Sequence, residues 1–168
     1  MIPAFTDKVL HMGPESAGLL RTAPAIGAVF MALILAFFPP SKNTGKWLLG
    51  SVMAFGIFTV CFALSNNYWL AFFFLMLTGA FDNISVVIRH TILQLQTPEN
   101  MRGRVSAVNG IFIGSSNEIG SYESGLAARA IGLVPSIIFG GCMVIGIVFG
   151  INLINPELKK AEMKDLEL

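Results

Sequence analysis

The sequence predicts an all-α membrane protein with five transmembrane helices. Three observations carry that prediction. Only 12% of the residues are charged while 54% are hydrophobic, and an ordinary soluble domain carries about twice that charge. The mean hydropathy is +0.71. Five apolar stretches, 17–38, 46–64, 68–96, 104–128 and 134–154, reach the roughly 20 residues that a 30 Å hydrocarbon core requires. No alternating strands of about ten residues point to a barrel.

The first stretch carries Arg21 near one end, then Pro24 and Gly27. The second over Leu48–Leu64 and the fifth over Val134–Ile154 contain no ionisable side chain apart from Cys, so they are expected to face lipid. The third carries Asp82, Arg89 and His90. The fourth carries Glu118 and Glu123 among Asn109, Asn117, Ser115, Ser116, Ser121 and Ser124. A charge in lipid costs several kcal/mol unless it faces protein or water, so the third and fourth are expected to line something polar. Pro39-Pro40, Ser65-Asn66-Asn67, Thr97-Pro98 and Gly132 break the chain between them. Such short connections make neighbours antiparallel.

Orientation follows the Lys/Arg bias. Lys42, Lys46, Arg102, Arg104, Lys159, Lys160 and Lys164 share one set of ends, and Lys8 and Arg129 the other. The first set is expected in the cytoplasm, with the tail 155–168 inside and residues 1–16 in an external loop. Residues 1–16 lack the basic start and apolar run of a signal peptide. An odd number of spans with an outside start is best explained by a missing preceding helix.

The net charge of +1 excludes a nucleic-acid footprint. Two Cys form neither a disulfide framework nor a metal spacing, and no metal or cofactor is expected. No Ser-His or His-x-x-x-His arrangement suggests an enzyme.

Depth separates the candidate site residues. By helix rise, Glu118 lies about 15 Å from the outer edge, Glu123 and Arg21 roughly 6–8 Å, Asp82 about 21 Å and Arg89 about 32 Å. Glu123 and Arg21 are therefore deep enough to pair, though Glu123 also fits a rim position and Arg21 a snorkelling one. Asp82 and Glu118 either handle protons or touch substrate, or else they hydrogen-bond a neighbouring helix. Arg89, seven residues after Asp82 and four after Ser85, shares their face. Arg89 and His90 are expected to snorkel to the cytoplasmic surface. Gly110-x-x-x-Gly114 and Gly146-x-x-x-Gly150 are expected to pack helices closely. Pro98 should end the third helix, and Gly103 should allow a tight turn into the next.

The loop Thr97-Pro98-Glu99-Asn100-Met101-Arg102-Gly103-Arg104 resembles the cytoplasmic loop before the eleventh helix of the major facilitator superfamily. The run from Asn109 through Asn117 and Glu118 to Gly120, then Tyr122-Glu123-Ser124-Gly125, is similar to its drug:proton antiporter-3 branch, which includes enterobactin-exporter-like and macrolide-efflux-like proteins. Leu10-His11-Met12-Gly13-Pro14-Glu15 and the run from Gly18 to Ala28 resemble the loop and eighth helix of that branch. The inner loop 38–46 departs from the family signature, because only Gly45-Lys46 matches and the Asp is missing.

The resemblance implies helices eight to twelve of a twelve-helix fold in a bacterial plasma membrane, without helix seven and the N-terminal half. It implies a secondary active exporter of a small amphipathic molecule, of drug or siderophore type, driven by protons through alternating access. Its partners would be the lipid bilayer, the missing half, the substrate and protons. Asp82, Glu118, Glu123, Arg21 and Asn117 would lie on the pathway. Arg102 and Arg104 would latch acidic groups or lipid phosphates, although positive-inside retention alone explains two Arg there. The competing reading is a non-transporting membrane scaffold or the remnant of a truncated transporter gene.

Overall fold

A computed structural model describes residues 2–10, 12–38 and 44–154. Lys42, the rest of 39–43, His11, and the tail 155–168 with Lys159, Lys160 and Lys164 lie outside the described residues. Six helices run in order: α1 (Ile2–Lys8), α2 (Pro14–Phe37), α3 (Thr44–Ala63), α4 (Tyr68–Leu95), α5 (Arg102–Ile131) and α6 (Leu133–Ile154). A 3-10 turn, Glu99–Met101, precedes α5.

Four of these helices are long and apolar enough to cross a membrane: Glu15–Phe37 within α2, Thr44–Ala63, Tyr68–Leu95 and Leu133–Ile154. α5 is not one of them. It is the longest, at 30 residues, yet it buries none of its side chains. It also carries Arg102, Arg104, Glu118, Glu123 and Arg129. The five expected spans are therefore four apolar helices and one polar helix.

The segment 1–16, expected as a loop, folds over 2–8 into α1 instead. Phe5 is fully buried, with its ring centroid 4.4 Å from that of Phe62 at the end of α3. Burying a phenylalanine stabilises by about 2 kcal/mol, enough to hold a helix too short to persist alone. Leu20, Ala23, Ala63, Ala71, Leu75 and Ile137 complete this core. Pro14 opens α2, where its missing N–H has no helical partner to lose.

The helices neighbour one another in the order α2, α4, α3, α6, α5. Close approach comes from single glycines. A Cβ on Gly79 of α4 would run into the backbone of Pro24 on α2, and one on Gly27 into the backbone of Met76. Gly56 of α3 and Gly141 of α6 face each other in the same manner, each Cβ falling about 3 Å from the other's carbonyl oxygen. Gly110, Gly114, Gly146 and Gly150 take no part in these seams, since among the described residues nothing lies within 4 Å of a Cβ at any of the four. A repeat of four places residues on one face, but a seam forms only where a neighbour lies against that face. Phe58 of α3 stacks between Phe74 and Phe81 of α4, at 6.3 and 5.5 Å, closing the α3–α4 seam.

Helix ends follow local chemistry. The Asn67 side chain accepts a hydrogen bond from the Trp69 N–H at 3.0 Å and caps α4. Asn67→Ala should lower stability by about 1 kcal/mol, while Asn67→Asp keeps the cap. The two are distinguished by their melting temperatures in detergent. Tyr68 then donates from its hydroxyl to the Ser16 carbonyl at 3.3 Å, tying the start of α4 to that of α2. After α4, Pro98 is extended (φ −55°, ψ 146°) and breaks the helix. Gly103 does not make the turn expected of it, because α5 already begins at Arg102 and the 3-10 turn reverses the chain. Gly132 alone separates α5 from α6, at φ 95° and ψ 161°, a conformation that only glycine adopts readily.

Candidate functional site

α4 and α5 form no packed seam, and a cleft of about 460 Å³ opens between them. That volume falls within the roughly 300–1,000 Å³ of small-molecule sites. From α4 the walls are Asp82, Val86, Arg89, His90 and Leu93. Their spacing of three and four residues sets them on one helical face. From α5 come Asn109, Phe112, Ile113, Ser116 and Asn117, again one face. The cleft thus presents one carboxylate, one guanidinium, one imidazole, two amides and a hydroxyl against aliphatic and aromatic surface.

Arg89 is held at one point. Its Nε donates to the Ser85 carbonyl at 3.2 Å on its own helix. Among the described residues the one ion pair is Arg102 with Glu99, at 3.7 Å. Neither Asp82 nor any other carboxylate in those residues pairs with Arg89. Helix rise separates Asp82 from Arg89 by about 10 Å, so the two carry opposite charge at different levels of the cleft.

Of the expected pathway residues, Asp82 and Asn117 line the cleft. Glu118, one residue on, is turned about a third of a circle away and does not line it. Glu123 is exposed on α5. Arg21 belongs elsewhere, in a hollow of about 430 Å³ with Asp7, Pro3 and Gly13 at the α1–α2 junction. The pair between Arg21 and Glu123 is not formed. Arg89 and His90, expected to snorkel to the cytoplasmic surface, are exposed and also line the cleft. The signal was their shared face with Asp82, and the missing knowledge was where α5 stands.

The loop is held locally. Arg102 donates from Nε to the Thr97 carbonyl at 3.3 Å and pairs with Glu99 while both side chains stay half-exposed or more. An exposed pair of this kind contributes less than about 1 kcal/mol. Arg104 lies along α5 beside Met101, Val108 and Phe112 on a neighbouring groove.

A family model described as Major Facilitator Superfamily matches residues 1–165. The enterobactin exporter EntS of Citrobacter koseri is 30% identical over 161 residues, covering 89% of this chain and 36% of its own length. Its counterpart in Salmonella paratyphi A is 31% identical over 162 residues, covering 89% and 36%. That of Escherichia coli O81 is 29% identical over 171 residues, covering 95% and 38%. The chain spans just over a third of the length of these relatives. No solved structure gives a significant match.

Proposed function

The chain belongs to the Major Facilitator Superfamily, a family of transporters and not of enzymes, and from that premise we propose that it forms the C-terminal portion of a secondary active exporter. α2 to α6 stand for helices eight to twelve of the twelve-helix fold, with α5 crossing the membrane beside a partner half. The exporter moves a small amphipathic molecule outward across a bacterial plasma membrane, driven by inward proton flow. The C-terminus lies in the cytoplasm. Arg102 and Arg104 mark the cytoplasmic turn and latch it in one access state.

The observation that carries this reading is the α4–α5 cleft. A polar face on each of two helices, one of them too polar for lipid, suits the lining of a central water-filled pathway. Rocking of the two halves would expose that lining to either side in turn. Asp82 is the carboxylate within it and the first candidate for proton exchange.

The test is dye efflux from cells making the full-length gene product that contains this chain. Efflux of rhodamine 6G or carboxyfluorescein above the vector control, stopped by a proton uncoupler, is the expected result. No efflux above the control at matched membrane expression would favour a non-transporting scaffold.

A further inference from the structure

Among the described residues, the α4–α5 cleft contains a cation without a counter-charge. Arg89 has one of its nitrogens fixed by the Ser85 carbonyl, which orients the guanidinium while leaving its two terminal nitrogens free to donate. His90, next along α4, lines the same space. The last turns of a helix favour cations, but that dipole does not hydrogen-bond a guanidinium. Asp82 stands two helical turns away and does not neutralise it. Between these charges the cleft offers Phe112 and Ile113 as apolar wall and Asn109 and Asn117 as amide donors and acceptors.

We propose that this cleft selects anionic amphipathic substrates, with Arg89 binding the anionic group and Phe112 packing against the apolar body. The inference rests on the export reading for its biological setting, but not for its chemistry. A planar guanidinium binds a carboxylate, phenolate or sulfonate through two parallel N–H donors, and Lys supplies only a point charge. Separation from Asp82 divides the labour: the carboxylate remains available for a coupling proton while Arg89 is occupied by cargo.

Two xanthene dyes of opposite charge test this, 6-carboxyfluorescein and rhodamine 6G. Binding is read first, by fluorescence anisotropy on the purified full-length gene product in nanodiscs of zwitterionic lipid. Wild type should bind carboxyfluorescein more tightly than rhodamine 6G. Arg89→Gln should weaken carboxyfluorescein at least about tenfold, the loss expected when a charge-assisted pair is removed. It should leave rhodamine 6G unchanged or tighter. Arg89→Lys should fall between the two for carboxyfluorescein. Equal loss of both dyes, or no loss of either, would overturn the proposal. So would preferential binding of the cationic dye by wild type. Nanodiscs with added phosphatidylglycerol separate a second source of the same chemistry. If anionic lipid displaces carboxyfluorescein from wild type, the occupant of Arg89 is a headgroup and the cargo assignment fails. Efflux is read separately: Arg89-dependent binding without efflux would sink the export reading and leave the anion site standing.

Discussion

Replacing Gly79 with valine is expected to force α2 away from α4 and to destabilise the bundle by about 3 kcal/mol or more, toward the upper end of overpacking changes. The reason is the identity of the atoms in the way. A Cβ at Gly79 meets the carbonyl carbon, carbonyl oxygen and Cα of Pro24, all backbone. A side-chain tip could rotate aside, whereas a helix backbone moves only as a whole. Gly27 approaches the backbone of Met76 and Ala80 from the opposite helix, so Gly27→Val should behave alike. Gly146 and Gly150 of α6 meet nothing within 4 Å among the described residues, and valine there should change stability by less than about 0.5 kcal/mol. Melting temperatures of the purified full-length gene product, followed by size-exclusion chromatography after heating, would compare the four. Equal losses at Gly79 and Gly146 would mean that α2 and α4 do not pack through this contact.

Asp82→Asn is expected to cut uncoupler-sensitive efflux at least about tenfold, equivalent to 1.4 kcal/mol, without lowering membrane expression. Asn keeps the shape and a carbonyl oxygen but cannot take up a proton. Glu118→Gln should have the smaller effect, because Glu118 does not line the cleft that Asp82 and Asn117 line. Efflux is measured with a dye that wild type exports, in cells with and without a proton uncoupler. The reverse ranking, with Glu118→Gln inactive and Asp82→Asn normal, would relocate the pathway to another face of α5.

Sequence and structure agree most where a single physical demand dominates. α3 and α6 are unbroken apolar runs, and nothing but a membrane-length helix satisfies them. Asn67 and Pro98 act on their nearest neighbours, so their effects were legible locally. α1 was not, because Pro3 and Asp7 in a 7-residue segment discourage a helix that exists through the contact of Phe5 with Phe62. The glycine pairs misled for a related reason. Spacing identifies a thin face, whereas Gly27 and Gly79 work as isolated residues brought together from distant parts of the chain. For the cleft, polarity marks Asp82 and Asn117, which line it, but equally Glu118, Glu123 and Arg21, which do not. Arg89 and His90 required the position of α5, which no local pattern supplies.

The makeup of α5 bears on how this protein is made. A charged residue at the centre of a segment opposes its release from the translocon into lipid by about 2.5–3.5 kcal/mol for Arg or Asp. α5 carries several ionisable side chains and buries none of its residues against the rest of the fold. α6 is the most apolar of the long helices, and it follows after the single residue Gly132. α5 is therefore a segment that awaits its successor at the ribosome exit. With α5 crossing the membrane as proposed, the two are expected to enter as a hairpin, the apolar arm supplying the driving force that the polar arm lacks. Each synthesis of the chain passes through a moment when its polar helix has emerged and the apolar helix after it has not.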